Sequence, residues 1–255
     1  MNVVLLFEGT GQGVEGKFTN VTRLREMLVE DDAQKAHLES GPGTHFGAYL
    51  FGKVFGSDCR AILRSSRRWF QQNHSRGDNV FLFGFSRGAL LARRFAEWLD
   101  KLDIPVAYLG LWDPVDSALK VDVSETCPKC VAYARHAVAR DERRRYFRLV
   151  PLVFEAKRGG EQGEERVFPG VHSDIGGLYE DNHDMADATL AWIADAAVAR
   201  GLRLKPDAKL RHDLDVEKLP THDSFRLVSN LWGLLGASAR SLAKDNSTIG
   251  MLDML

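Results

Sequence analysis

The chain has 255 residues, enough for one large domain with a sizeable core. Hydrophobic residues make up 44% and charged residues 27%, as in ordinary soluble globular proteins. The net charge of −1 excludes a general electrostatic attraction to nucleic acid or to an anionic membrane. No apolar run approaches the roughly 18 residues of a membrane span, and the basic start of a signal peptide is missing. We therefore expect a protein made in the cytoplasm, and export by a route that cleaves no signal peptide stays open.

Strand-like and helix-like segments alternate along the chain. The apolar run at 3–7, which ends in glycines, is typical of a strand buried on both faces of a parallel sheet. The predicted elements in chain order are strand 3–7, helix 20–31, helix 59–73, strand 79–85, helix 87–102, strand 106–112, helix 131–140, strand candidates 146–154 and 167–171, and helix 184–200. This alternation predicts the α/β class, with a mostly parallel sheet flanked by helices on both faces. We expect one domain over 1–255, in which about 227–255 is a lid or the edge of the fold.

The sequence Gly84-Phe85-Ser86-Arg87-Gly88 joins the predicted strand 79–85 to the helix that follows. A strand–turn–helix setting of this kind is what a nucleophile elbow requires, because the tight turn exposes the serine hydroxyl at the sheet edge. Gly84 and Gly88 are small where strand and helix must pack closely. The alternative is a glycine-flanked turn with a surface serine. The setting favours Ser86 as a nucleophile.

A catalytic serine needs a base, and His172 is the leading candidate among eight histidines. It follows a predicted strand and precedes a glycine-rich loop, where an open α/β sheet gathers its site. His222 is the second candidate. Four further histidines lie in polar stretches and are expected to be solvated: His37, His74, His136 and His212.

The third group should be a carboxylate that orients the imidazole. Asp113 ends the strand after the elbow helix, which places it at the same sheet edge as Ser86. The order Ser86, Asp113, His172 is the order of an α/β-hydrolase triad. Asp116 and Asp174 compete for the role, and Asp113 could instead be a simple turn residue before a proline.

Glycines also follow the first strand. Gly9, Thr10 and Gly11 form a loop whose backbone can approach a ligand closely, so it can supply one oxyanion N–H while Arg87 supplies the other. A dinucleotide loop is the alternative. It would need glycine where Val14 stands, and a second strand ending in an acid about twenty residues later, which the sequence does not predict.

Neither a metal nor a cofactor is required by these motifs. Five acids surround the His172 loop, but their spacing matches no EF-hand, and a metal there is a minor alternative: Asp174, Glu180, Asp181, Asp184 and Asp187. Cys127 and Cys130 form a single CxxC pair, and the third cysteine is Cys59. A structural zinc site usually has two such pairs, so we interpret this one as a reduced loop.

At these motifs the chain resembles an α/β-hydrolase domain family, long of unknown function, that includes bacterial type VI secretion phospholipase effectors. The matching strings are Phe7-Glu8-Gly9-Thr10-Gly11, Thr19-Asn20-Val21, Gly84-Phe85-Ser86-Arg87-Gly88-Ala89, Trp112-Asp113-Pro114-Val115, Asp141-Glu142-Arg143-Arg144 and Pro169-Gly170-Val171-His172-Ser173-Asp174-Ile175-Gly176-Gly177. The chain departs from the pattern at Glu8, where Asp is usual, and at Pro114, where Thr is usual. From its 255 residues we also expect it to lack the additional membrane-binding module of the large effectors.

The resemblance implies a serine lipase or esterase that acts on phospholipid acyl esters, with the triad Ser86, Asp113 and His172. It also implies an immunity protein or a component of the secretion apparatus as partner. Two alternatives stay open. One is a hydrolase of small-molecule esters, thioesters or peptides, and the other is a non-catalytic interaction module on the same fold.

Overall fold

The structure is a computed structural model that describes residues 1–9, 19–41, 55–116, 122–144, 147–157 and 160–223. The strands in chain order are β1 (Asn2–Phe7), β2 (Gln34–Glu39), β3 (Asn79–Phe85), β4 (Tyr108–Trp112), β5 (Val115–Asp116), β6 (Ala134–Ala139), β7 (Arg148–Leu149), β8 (Ala156–Lys157), β9 (Gly160–Glu161) and β10 (Gly163–Phe168). The helices are α1 (Asn20–Met27), α2 (Phe55–Asn73), α3 (Arg87–Asp100), α4 (His172–Gly176) and α5 (Asp184–Val198). None of the described helices is both long enough and apolar enough to cross a bilayer.

Six strands form one sheet in the order β10-β6-β4-β3-β1-β2, and all its pairings are parallel. Successive side chains of a strand point to opposite faces of the sheet, and the side chains of β1 pack against helices on both faces. Val4 and Leu6 pack in the core shared with α1 and α5. Val3 and Leu5 pack in the core shared with α2 and α3. The predicted α/β-hydrolase-like class, a parallel sheet flanked by helices on both faces, is confirmed.

The strand order reverses at β1 and β3. The chain moves from β1 outward to β2, whereas from β3 it moves to β4, β6 and β10 on the other side. Ligands of open α/β sheets bind at such a switch point, beyond the carboxyl ends of the strands. Gly9 comes shortly after β1 and Ser86 directly after β3, so both lie there.

The helix predicted over 131–140 is wrong, because this segment contains β6, a strand between β4 and β10. Its alanines favour a helix by intrinsic propensity, but burial between two strands decides the structure. The small side chains of Ala137 and Ala139 face the core beneath α5. His136, expected in solvent, is fully buried in this strand, with Nδ1 2.9 Å from Oε2 of Glu165.

The prediction also missed β2, which forms one edge of the sheet beside β1. Its sequence carries only two apolar residues, because an edge strand next to solvent needs few. β2 ends in Glu39, which lies 30 residues after Gly9 and not the twenty or so that a dinucleotide loop would need. That carboxylate accepts a hydrogen bond from Oγ of Ser66 at 2.9 Å and lies 3.0 Å from Nε2 of His37.

Other element bounds differ from the predictions by a few residues. α1 ends at Met27, α2 begins at Phe55, and β10 spans Gly163–Phe168 rather than 167–171. The described part of the candidate strand 146–154, from residue 147 on, contributes β7 and a bridge between Val153 and Thr126. The proposed lid or fold edge at about 227–255 lies outside the described residues.

Candidate active site

Ser86 occupies the turn between β3 and α3. Its backbone has φ 59° and ψ −125°, and residues other than glycine rarely adopt such a positive φ. Its N–H donates to the carbonyl oxygen of Trp112 at 2.9 Å, which ties the turn to the end of the neighbouring β4. The residue is 7% exposed. Such a strained backbone is often kept at functional sites.

The flanking glycines let the strand and the helix approach closely. A Cβ atom on Gly84 would lie 2.5 Å from the carbonyl oxygen of Gly88. A Cβ atom on Gly88 would lie 2.1 Å from the carbonyl oxygen of Phe7. Neither position can hold a larger residue unless backbone atoms move.

Asp113 follows β4 and is completely buried. Its N–H donates to the carbonyl oxygen of Ala137 at 2.8 Å, and Oδ1 accepts from the N–H of Ala139 at 2.9 Å. Both bonds reach β6, which the sequence did not reveal as a strand. The remaining oxygen, Oδ2, lies 2.6 Å from Nδ1 of His172.

His172 is the first residue of α4 and is 3% exposed. Because an ionised carboxylate only accepts hydrogen bonds, its pairing with Asp113 assigns the proton to Nδ1 and leaves Nε2 as an acceptor. Burial lowers the pKa of His172 below its ordinary value, against the opposing hydrogen bond and charge of Asp113. The imidazole is therefore neutral at neutral pH, as a general base must be.

Aromatic rings hold the imidazole on two sides. Phe85, the residue before Ser86, stacks on it with ring centroids 4.6 Å apart. Phe147 packs edge-on at 4.9 Å. No hydrogen bond joins Ser86 to His172, both of which are described, and contacts of this kind often tighten only when substrate binds.

The backbone groups expected to bind an oxyanion have different surroundings. Arg87 is the first residue of α3, where the positive end of a helix dipole lies behind the turn. Gly9 lies against Ser86, but its N–H donates to Oε2 of Glu8 at 3.1 Å and not to the site. Thr10 and Gly11 lie outside the described residues.

Comparison with known proteins shows which family this chain belongs to. Residues 1–105 and 99–196 match the family described as the type VI secretion system phospholipase effector Tle1-like catalytic domain. The chain belongs to this family. The relationship to the phospholipase effector family that the motifs predicted is confirmed.

The individual relatives have low sequence identity to this chain. A crystal structure of an uncharacterized protein from Pseudomonas aeruginosa has 19% identity and a TM-score of 0.52, covering 80% of this chain and 46% of that one. An uncharacterized protein of Saccharomyces cerevisiae is 27% identical over 123 residues, 40% of this chain and 18% of the relative. A crystal structure of human thioesterase 2 has 11% identity and a TM-score of 0.40, covering 79% and 98% of the two chains. The chain thus spans less than half of the first two relatives.

This chain contains a second histidine–aspartate pair. Nδ1 of His222 lies 2.6 Å from Oδ1 of Asp174, and its ring stacks on Tyr179 with centroids 3.7 Å apart. Oδ2 of Asp174 accepts from the N–H of Val171 at 2.8 Å, which fixes the start of α4. Nε2 of His222 faces Asp181 at 3.2 Å. This histidine, the second candidate for the base, therefore has partners at both ring nitrogens.

Asp116, the other competing carboxylate, belongs to neither of these two histidine pairs. It is half of the two-residue strand β5, which pairs with β7. Its Oδ1 is buried with no hydrogen-bond partner.

Glu142 is a site residue to which sequence reasoning assigned no role. Its carboxylate is buried, and Oε2 accepts from the N–H of His172 at 3.2 Å. Arg144 donates to both carboxylate oxygens, at 2.9 and 2.7 Å. Although burial raises the pKa of Glu142, the hydrogen bonds and charge of Arg144 outweigh it and keep that pKa low. Predicting β6 as a strand would have placed Glu142 at the carboxyl edge of the sheet.

Two of the acids that follow the His172 loop pair with arginines. Asp187 contacts Arg23, and Asp184 accepts from Arg211 at 2.5 Å. Within the described parts of the chain, no group of three or more His, Cys, Asp or Glu residues is arranged to hold a metal ion. The three cysteines, all described, form no disulfide.

Proposed function

We propose that this chain is a serine esterase that cleaves acyl esters of lipids or phospholipids through Ser86, His172 and Asp113. The observation that carries the proposal is the buried pair of His172 and Asp113, 2.6 Å apart, packed on the residue before a strained elbow serine. Membership of a phospholipase effector family supports the reaction class.

In the proposed reaction, Oγ of Ser86 attacks the ester carbonyl carbon while Nε2 of His172 takes the hydroxyl proton. Asp113 keeps the imidazole oriented and stabilises its positive charge. The N–H of Arg87 donates to the oxyanion. The intermediate then collapses, and the leaving alcohol takes the proton from His172. Water attacks the acyl-enzyme by the same sequence of steps and releases the acid, so no cofactor takes part.

A polar cavity next to the His172 loop supports a substrate with a charged group. It measures about 500 Å³ and is lined by Arg140, Asp141, Glu142, Arg143, Val171, Thr221, His222 and Asp223. Two of its residues contact the triad histidine or its loop: Glu142 accepts the N–H of His172, and Val171 precedes that residue. Its charges pair with one another, Arg140 with Asp141 at 3.2 Å and Arg143 with Asp223 at 2.9 Å, and we propose that a zwitterionic phospholipid head group binds among them.

We also propose that residues 1–255 form one domain, and that the chain acts as an effector with an immunity protein or a secretion component as its partner. The family match supports the second part.

Labelling with a fluorophosphonate followed by intact-mass measurement tests the nucleophile. Wild type should gain one adduct and Ser86→Ala none, because the probe reacts only with an activated serine. Ser75→Ala is the matched control, since it removes an exposed hydroxyl that belongs to no site. A folded wild type that gains no adduct would refute the serine-hydrolase proposal and favour a non-catalytic module.

An ester series then tests the substrate class. A lipase should show kcat/KM rising with acyl length and should release fatty acid from phospholipid vesicles. Activity confined to acetyl esters, or to thioesters, would favour the alternative of a small-molecule hydrolase.

A further inference from the structure

Glu8 is a buried carboxyl group to which the proposed reaction assigns no task. It follows β1 and is completely buried. Burial raises the pKa of Glu8 to about 7, and hydrogen bonds from Thr19, Gly9 and Thr22 oppose that rise. Buried carboxyl groups with displaced pKa values concentrate at functional sites.

The two oxygens of this carboxyl group bind two different parts of the chain. Oε2 accepts from the N–H of Gly9 at 3.1 Å, and Oε1 accepts from Oγ1 of Thr19. Thr19 is the N-cap of α1, where its side chain also accepts from the N–H of Thr22 at 3.2 Å. Glu8 therefore ties the backbone at Gly9 to the start of α1.

Close packing transmits this restraint to the elbow. A Cβ atom on Gly9 would lie 3.2 Å from Cβ of Ser86. A Cβ atom on Gly41 would lie 1.6 Å from the carbonyl oxygen of Gly9, and one on Gly88 would lie 2.4 Å from the carbonyl oxygen of Glu8. The backbone at Glu8 and Gly9 is thus packed so closely against Gly41, Ser86 and Gly88 that no side chain fits between them.

We propose that Glu8 is a positioning residue of the Ser86 site. Its carboxyl group accepts the Gly9 N–H and so holds the backbone at Gly9 against Ser86. The inference rests on the proposed function, because it concerns the geometry around the nucleophile. Glu8 acts through Gly9 and does not touch the substrate.

Two substitutions separate this positioning role from simple loss of a side chain. Glu8→Gln keeps an oxygen for the Gly9 N–H and an amide group that donates to Thr19, whereas Glu8→Ala keeps neither. At pH 6, below the pKa of about 7 of Glu8, the amide copies the neutral carboxyl group. We expect Glu8→Gln to retain kcat within about threefold, and Glu8→Ala to lose about tenfold or more while KM changes less than about threefold.

Fluorophosphonate labelling rates distinguish failure of this inference from failure of the proposed function. Wild type that is never labelled would overturn the proposed function. Wild type and folded Glu8→Ala labelled at equal rates would overturn the role of Glu8 alone. A kcat for Glu8→Gln as low as that of Glu8→Ala would also overturn it, because the hydrogen bonds would then not be what matters.

A second pair of variants applies if Glu8→Ala does not fold. Thr19→Ser keeps the hydroxyl that binds Glu8, and Thr19→Val removes it. We expect Thr19→Val to lower kcat relative to Thr19→Ser with little change in KM. Equal kcat values in the two variants would contradict the proposal.

Discussion

The two histidine–aspartate pairs share one distance and differ in their surroundings. Nδ1 of His172 lies 2.6 Å from Asp113, and Nδ1 of His222 lies 2.6 Å from Asp174. His172 is sealed between aromatic rings, and burial lowers its pKa. The side chain of His222 is 17% exposed, and its hydrogen bonds to Asp174 and Asp181 outweigh burial and raise its pKa. The histidine–aspartate pair itself therefore does not distinguish a general base from a charged structural contact. The difference lies in the contacts of the second ring nitrogen, Nε2, and in how strongly the imidazole is desolvated.

Removing each histidine should produce the largest contrast. We expect His172→Ala to lower kcat about a thousandfold or more, because the variant loses the proposed acceptor of the Ser86 proton. His222→Ala should cost about tenfold or less, since it disturbs only the neighbouring loop. Steady-state kinetics on a soluble ester measures both. Equal losses in the two variants would contradict the assignment of His172 as the base, and a larger loss in His222→Ala would favour the second pair.

The two aspartates should separate activity from stability. Asp113→Asn should lower kcat about a thousandfold or more, because an amide supports the wrong imidazole tautomer. Asp174→Asn should act mainly on the fold, lowering the free energy of unfolding by about 1–3 kcal/mol, because the Val171 N–H and His222 lose a charged acceptor. Kinetics and urea unfolding of both variants test this. A catalytic loss in Asp174→Asn as large as that in Asp113→Asn would contradict the assignment.

Glu142→Gln should affect both properties to an intermediate degree. The variant leaves the guanidinium of Arg144 without its carboxylate partner, which should lower the free energy of unfolding by about 1–3 kcal/mol. The negative charge of Glu142 also raises the pKa of His172, so its removal should move the acid limb of kcat/KM to lower pH. Glu26→Gln, which neutralises an exposed carboxylate outside the site, is the matched control. A limb that stays in place would show that Glu142 does not act on His172.

The pH dependence of activity and stability in the wild type should also distinguish the two histidines. These effects should be smaller than those of the substitutions above. Because burial lowers the pKa of His172, kcat/KM should rise with pH at a midpoint below the ordinary value of 6.5. A midpoint above 6.5, or a flat profile between about pH 5 and 8, would argue against His172 as the base.

Activity through His172 should increase as pH rises, whereas the contribution of His222 to the free energy of unfolding should fall. Because its folded pKa is raised, its contribution is complete below the unfolded value near 6.5 and is lost as pH rises through the folded value. The unfolding free energy of wild type should therefore fall between about pH 6 and 8 by more than that of His222→Gln. Identical pH dependence in the two proteins would show that His222 carries no such contribution.

Local sequence predicted the elements that contain the proposed nucleophile. Strong patterns marked β1, β3 and α3, and the glycines around Ser86 marked the turn, because strand burial and tight packing limit the residues allowed there. The same patterns placed Asp113 and His172 at strand ends. Glu142 was missed because the alanine-rich segment before it favours a helix by propensity, and only its place between β4 and β10 makes it a strand.

The sequence alone therefore determined the α/β class, the family and the candidate triad residues, since these depend on residue types at short spacing. The tertiary structure decided which histidine meets which aspartate, and it showed that Glu8 binds the Gly9 N–H. Those facts depend on contacts between residues far apart in the chain and on how much water each pair excludes. Local patterns contain neither quantity, because desolvation arises only when the sheet, α4 and the segment at His222 pack together.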